Sequence, residues 1–380
     1  MIRKFVSLLI CSILIIPFCN TVQAQNTDST KADIANIEIN YYNDGPHVFW
    51  QNDTTAIVFY LCNESISKDT FYSTDTIRFN GLCDDSNIEY VIPINNYSIA
   101  PYEFKNVSKI LAVSDIHGEY EYLRDILFNA KVIDSNQNWI YGDGYLVIDG
   151  DIFDRGDMVT ECLWLIYRLE IQARQQGGMV HFTLGNHELM ILQGDNRYIN
   201  EKYLDGIVKK SRIEYIDLYG PDMELGRWLR TKNTAVIIND ILFVHGGISP
   251  SFVEKELKLE WLNKTVRDII DFNSAQIAFD STAKYILGSY GPFWYRGYHY
   301  EMENRYPQIT MAEVDRQLEY FGVDAIVVGH TEIDSLMGLY DNKIYALDIP
   351  FDELNGLQAL LWQDNKFYRV SVDGSQVLIK

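Results

Sequence analysis

The strongest constraint on this chain is a pattern that occurs five times between residues 108 and 331, in which a short apolar run stops at a polar or glycine-bearing cluster. Ile110-Leu111-Ala112-Val113 leads to Asp115, and Tyr145-Leu146-Val147-Ile148 leads to Asp149-Gly150-Asp151. Val180-His181-Phe182-Thr183-Leu184 ends at Gly185-Asn186-His187, Ile241-Leu242-Phe243-Val244 at His245, and Ala325-Ile326-Val327-Val328 at Gly329-His330. Such runs read as buried strands. The stretches between them carry helical spacing, clearest at Val159, Leu163, Ile166, Leu169 and Ala173. Strands alternating with helices predict a layered α/β fold. Ligands of such sheets gather beyond the carboxyl ends of the strands, where all five clusters lie.

Those ends supply Asp115, His117, Asp151, Asn186, His245 and His330. Asp115 and His117 are two apart, so on extended backbone they face the same way and can share an ion. Every donor is oxygen or imidazole nitrogen, a set suited to Mn, Fe or Zn rather than soft copper. Six donors exceed what one ion needs, so the economical reading is two divalent or trivalent ions bridged by Asp151. Such a centre activates water and stabilises the attacking and leaving oxygens of a phosphoryl transfer.

Taken together, Asp115-Ile116-His117-Gly118, Gly150-Asp151-Ile152-Phe153-Asp154-Arg155-Gly156, Gly185-Asn186-His187-Glu188, His245-Gly246-Gly247 and Gly329-His330-Thr331 resemble the calcineurin-like metallophosphoesterases. More narrowly they resemble the phosphoprotein phosphatase branch and its Shewanella-like bacterial group. The resemblance covers roughly residues 108 to 350. It implies a β-sandwich flanked by helices, with Asp115, His117 and Asp151 on one metal and Asp151, Asn186, His245 and His330 on the other. A hydroxide bridging the two metals would attack directly. His187 would protonate the leaving oxygen, with Asp154 orienting it and raising its pKa. Arg155, and Arg296 within Trp294-Tyr295-Arg296-Gly297, would hold phosphate oxygens. Glu188 would brace its loop, His181 reads as a core histidine, and His299 would line the pocket or face solvent.

Two positions depart from the pattern. Many diesterases of the superfamily carry Gly-His-x-His, whereas this chain has Glu332 at the last place, which favours phosphomonoesters and phosphoproteins. The Shewanella-like group has a motif ending Gly-Met near the C-terminus, and the nearest equivalent, Asp348-Ile349-Pro350-Phe351, lacks that ending. A phosphotyrosine preference follows from the group alone. A nucleotide-directed hydrolase, acting on dinucleoside polyphosphates or diesters at the same centre, is the alternative. A degenerate phosphatase used as a binding module is a third reading, disfavoured by the complete ligand set.

Residues 1–24 read as a signal peptide: Arg3 and Lys4, an apolar run from Phe5 to Cys19, then Val22-Gln23-Ala24 before a cut ahead of Gln25. Export to the periplasm or medium is the expectation. That compartment permits a Cys62–Cys83 disulfide, while Cys162 lies in an apolar helical pattern as a buried thiol. Residues 25–107 read as a small β-rich domain, with strands at Val48-Phe49-Trp50, Ala56 to Leu61 and Glu89 to Pro93 and a turn at His47. Residues 108–380 read as the catalytic domain, with a helical cap expected around 192–232 and a strand-like tail from Lys343. No later stretch is apolar enough to span a bilayer. With 32 basic against 53 acidic residues the net charge is −21, which argues against nucleic-acid polymers as partners. A single phosphate group can still be held by Arg155, Arg296 and bound cations.

Overall fold

The computed structural model describes residues 42–83, 88–94, 97–350 and 356–380. The signal segment and Phe351 lie outside them. In chain order, β1 (Asp44–Asn52), β2 (Thr55–Cys62) and β3 (Ser65–Tyr72) form an antiparallel sheet. A hairpin follows, β4 (Thr76–Asn80) with β5 (Glu89–Pro93). The rest of the chain contributes β6 (Glu103–Phe104), β7 (Lys109–Val113), β8 (Tyr145–Asp149), β9 (Met179–Thr183), β10 (Ala235–Ile238), β11 (Ile241–Val244), β12 (Ala325–Val328), β13 (Met337–Leu339), β14 (Ile344–Ala346), β15 (Gln358–Gln363), β16 (Lys366–Ser371) and β17 (Gln376–Leu378).

These strands make two six-stranded sheets, ordered β13-β14-β12-β11-β10-β6 and β17-β16-β15-β7-β8-β9. Within them β7, β8 and β9 run parallel, as do β11 and β12. The expected layered α/β architecture of two sheets is therefore present, and the C-terminal strands extend the second sheet. Alternate residues of each strand serve different cores. Ile110, Ala112, Val147, Ile241, Phe243, Ala325 and Val327 belong to one apolar cluster. Their neighbours Leu111, Val113, Leu146, Ile148, Leu242, Val244, Ile326 and Val328 belong to another, shared with helix residues. Burial on both faces explains why the runs show no polar alternation.

Helix α1 (Tyr120–Asn129) follows the first site loop and α2 (Val159–Gln175) the second. Val159, Leu163, Ile166, Leu169 and Ala173 are all buried on α2, and Cys162 is a buried free thiol. A shorter helix, α3 (Asn186–Leu192), starts directly at the third site loop.

The N-terminal strands pack onto this body. The Trp50 amide donates to the Asp222 carbonyl at 2.8 Å, and the Trp164 indole to the Pro46 carbonyl at 2.8 Å. Cys62 and Cys83 are disulfide-bonded, with Cα atoms 5.3 Å apart. His47 is not a turn residue. It lies within β1, buried, with its ring 2.7 Å from Asp44. Proximity to Pro46 suggested a turn, but a carboxylate three residues earlier in the same strand lets the imidazole enter the core paired.

Candidate active site

The five strand ends converge. Asp115 and His117 follow β7, Asp151 follows β8, Asn186 opens α3 after β9, His245 follows β11, and His330 follows β12. Three come from one sheet and two from the other, so the site lies where the carboxyl edges of the two sheets meet. The backbone there is left-handed at non-glycine residues: φ is 53° at Asp115, 47° at His117, 57° at Asp151, 72° at Asp154, 63° at Arg155 and 65° at His330. Such conformations cost energy and persist where the surrounding structure imposes them, commonly at functional sites. They also correct one expectation, since Asp115 and His117 do not project side by side from an extended strand. The chain turns at each of them.

Backbone carbonyls orient the imidazoles. His117 Nδ1 lies 2.7 Å from the Phe153 carbonyl and His245 Nδ1 2.7 Å from the Asp149 carbonyl. A carbonyl can only accept, so each Nδ1 is the donor and each Nε2 is turned toward the site. His245 Nε2 then meets Asp151 Oδ2 at 3.1 Å and Asn186 Oδ1 at 3.0 Å. His117 Nε2 and His187 Nε2 each lie 3.9 Å from Asp151 Oδ2. Two triads of donor atoms lie within metal-holding distance, His117 with Asp151 and His187, and Asp151 with His245 and His330. Asp151 belongs to both, which suits the bridging role.

Asp115 is outside these triads. Its carboxylate accepts from Ser114 Oγ at 2.6 Å and from the His330 amide at 3.0 Å. It lies close enough for burial and the Asp151 charge to raise its pKa to about 7, against the pull of His245. The ring of His187 takes its place in the first triad.

The donor chemistry fits metal ions. His330 Nε2, Asp149 Oδ2 and Asp154 Oδ1 are buried without hydrogen-bond partners. Around His245 Nε2, oxygen acceptors converge with only a proton or a cation to reconcile them. Burial disfavours a charged His245, yet the Asp151 and Asp115 charges hold its pKa well above the ordinary value. Burial instead pushes His117 down to about 3, leaving the neutral imidazole that binds metals.

His187 is held differently. Its Nδ1 lies 2.6 Å from Asp154 Oδ2, which fixes the ring and leaves Nε2 facing Asp151. Burial opposes its protonation, but Asp151 and the Asp154 hydrogen bond outweigh it and raise its pKa. Glu188 braces the loops as expected, accepting from the amides of Asp151, Ile152 and Gly185 at 2.8, 2.7 and 2.7 Å. Gly185 has no tolerance for a side chain, since a Cβ there would sit 2.2 Å from Asp151 Oδ1.

The two arginines sit at the rim. Arg155 is exposed, with Nη1 3.7 Å from Glu332 Oε1. Arg296 Nη1 donates to the His330 carbonyl at 2.6 Å, which ties it to the second triad. His299 is half-buried with Nε2 covered and unpartnered, and burial, then Arg296, pushes its pKa down to about 4. His181 is a core histidine, ringed by Phe104 and Tyr145.

Sequence reasoning missed Asp149, Asp348 and Tyr198. Asp149 is fully buried, supplies the carbonyl that orients His245, and accepts from Thr183 Oγ1 at 2.6 Å. Its signal was present as the second carboxylate of Asp149-Gly150-Asp151. Burial, with the charges of Asp115, Asp151 and Glu332, pushes Asp348 up to about 9. Tyr198 lies against His187 with ring centroids 5.6 Å apart, and no local pattern announces it.

Comparison with known proteins agrees with this geometry. The family model for calcineurin-like phosphoesterases matches residues 108–333. The chain belongs to that family and is a metal-dependent phosphatase. Within the family it groups with the Shewanella-like protein phosphatases. It is 31% identical to Shewanella-like protein phosphatase 1 of Plasmodium berghei over 63% of this chain and 66% of the relative. It is 26% identical to Shewanella-like protein phosphatase 2 of Arabidopsis thaliana, over 68% of this chain and 75% of that protein. Among solved structures, a cold-active protein-tyrosine phosphatase of a psychrophilic Shewanella superposes with a TM-score of 0.82 at 36% identity, covering 89% of this chain and 99% of that one.

Proposed function

We propose that this phosphatase hydrolyses phosphomonoesters on proteins, phosphotyrosine among them, by direct attack of water, and that it works after export to the periplasm or medium. The observation that carries the reading is His187, fixed by Asp154 at Nδ1 and presenting Nε2 beside the Asp151 carboxylate shared by both triads. Asp115, His117, Asp151, Asn186, His245 and His330 would hold two ions of Mn, Fe or Zn, with His187 close by. Such ions supply positive charge to phosphoryl oxygens and lower the pKa of water.

The protein's own groups perform the remaining work. Arg155 and Arg296 engage two phosphate oxygens, and the bidentate guanidinium fixes the angle of approach. His187 gives its Nε2 proton to the leaving oxygen, and Asp154 stabilises the cation until then. The similarity to a Shewanella tyrosine phosphatase supports phosphotyrosine, and the Cys62–Cys83 disulfide supports an oxidising compartment.

The test is turnover of phosphotyrosine peptide, phosphoserine peptide, a dinucleoside polyphosphate and an aryl diester, before and after chelation. Monoester hydrolysis that chelation abolishes and Mn, Fe or Zn restores is expected. Preferential diester or dinucleotide cleavage, or activity untouched by chelation, would overturn it.

A further inference from the structure

We infer that Tyr198 is a specificity-determining residue, the wall against which an aromatic leaving group packs. The inference rests on the phosphomonoester reading above. It begins with where the leaving oxygen must be. A general acid has to come within hydrogen-bond reach of the atom it protonates. His187 Nδ1 is committed to Asp154, so the leaving oxygen lies at Nε2. The group attached to that oxygen must pass the His187 ring.

Two aromatic rings flank His187. His117 stands edge-on at 4.6 Å between centroids, and it is buried with its Nδ1 bonded to the Phe153 carbonyl. That side is filled. Tyr198 stands on another side at 5.6 Å and tilted by 48°, and it is 48% exposed. Of the two rings only Tyr198 is open to solvent, so it is the one that a leaving group bound at Nε2 can reach.

The ring's position is built rather than incidental. The Arg155 amide donates to the Tyr198 carbonyl at 2.9 Å, and Asn200 Nδ2 donates to the Arg155 carbonyl at 2.8 Å. The Tyr198 segment and the phosphate-binding arginine thus share one hydrogen-bonded register. Arg197 stacks its guanidinium 5.5 Å from the Tyr198 ring centroid while Asp195 pairs with that guanidinium at 2.7 Å. Moving the tyrosine would disturb the loop that carries Arg155.

The chemistry of the ester then decides who benefits. In an aryl phosphate the leaving oxygen is bonded directly to a ring, which lands beside Tyr198 and makes the offset or edge contact aromatic pairs favour. In a seryl phosphate one methylene follows, then peptide backbone, and no ring reaches the wall. Tyr198 consequently discriminates between the two through its ring, and its hydroxyl plays no part.

The experiment compares kcat/KM of the metal-loaded full chain on phosphotyrosine and phosphoserine peptides of otherwise identical sequence, for the unaltered protein, Tyr198→Ala and Tyr198→Phe. The ratio of the two constants is read, because it is insensitive to the fraction of active protein. Tyr198→Ala is expected to lower the phosphotyrosine-to-phosphoserine ratio about tenfold, chiefly through KM for the aryl substrate, and Tyr198→Phe to keep it within about twofold. An unchanged ratio in Tyr198→Ala, or a Tyr198→Phe protein that behaves like Tyr198→Ala, overturns the inference. If the unaltered chain turns over neither peptide, the phosphomonoester reading itself has failed.

Discussion

Two clusters of buried carboxylates in this molecule, Glu224 with Glu170 and the aspartates at the strand ends, are satisfied in opposite ways. Where the N-terminal strands meet the catalytic body, Glu224 accepts from the Trp50 indole at 2.5 Å, the Tyr97 hydroxyl at 2.5 Å and the Tyr167 hydroxyl at 2.7 Å. Glu170 nearby accepts from Arg174, Trp228 and Lys232. Every oxygen of these two carboxylates has a protein donor. At the strand ends, Asp149 and Asp154 each keep a buried oxygen with no donor, His330 Nε2 has no partner, and acceptors crowd around Asp151. Buried polar groups are ordinarily satisfied, so a cluster of exceptions points to a ligand. Both regions are dense and buried. Of the two carboxylate clusters, Glu224 with Glu170 and the strand-end aspartates, only the second leaves carboxylate oxygens without a protein donor.

The sharpest way to break the contrast is to neutralise its shared ligand. Asp151→Asn is expected to lower kcat/KM for an aryl phosphate by on the order of 10³-fold, about 4 kcal/mol, because both triads lose their common carboxylate. Metal content by elemental analysis should fall with it. Retained metal and activity would mean that the open valences at the strand ends have another purpose.

At the satisfied interface the loss should appear in stability instead. Glu224→Ala leaves two hydroxyls and an indole N–H without their acceptor, at a cost of about 3 kcal/mol. The Tm should drop by about 6–12 °C. Activity per folded molecule should be unchanged, since Glu224 touches none of the site residues. A large drop in turnover without a drop in Tm would dissolve the distinction between the two regions.

The two regions also differ in how far the sequence revealed them. Each metal-site residue sits within a few positions of the end of an apolar strand, so local pattern and spacing found Asp115, Asp151, Asn186, His245 and His330 together. The geometry of their turns was not legible. Left-handed φ at Asp115 and His117 is imposed by loops packed against one another, and side-chain identity does not encode it. The Glu224 junction was invisible because its donors stand at 50, 97 and 167, joined only by folding. β3 went unnoticed for another reason. Its sequence, Ser65-Ile66-Ser67-Lys68-Asp69-Thr70-Phe71-Tyr72, is mostly exposed, so backbone pairing with β2 rather than burial makes it a strand. Tyr198 escaped because its function depends on a neighbour eleven positions away on α3.

A finer test separates the catalytic carboxylate from the ligand carboxylates within the same site. Asp154→Asn keeps the shape and removes the charge that helps raise the His187 pKa. kcat should fall by about 30-fold, close to 2 kcal/mol, with metal content unchanged. The sign of the pH effect follows from the linkage. Without Asp154 the imidazolium loses its proton at lower pH, so the alkaline limb of the kcat profile should move to lower pH. A profile that shifts upward, or a loss of metal, would place Asp154 among the ligands.

The smallest effect belongs to the satisfied region and should appear only as a slope. Burial alone would raise the pKa of Glu170, but Lys232 and Arg174 outweigh it and hold the carboxyl below its usual range. A depressed folded pKa means that the unfolded chain binds the proton more tightly. The contribution is therefore complete above the unfolded value of about 4.3 and is lost as pH falls through the folded value. Lys232, buried on the same bridge, has its own pKa lowered by that burial, so the pair contributes less at neutral pH than the carboxylate alone suggests. Glu170→Gln should flatten the dependence of Tm on pH below about 4.5 and lower stability at neutral pH by about 1–2 kcal/mol. If the acid limb persists at full steepness in that variant, Glu170 is not the carboxylate whose protonation sets it.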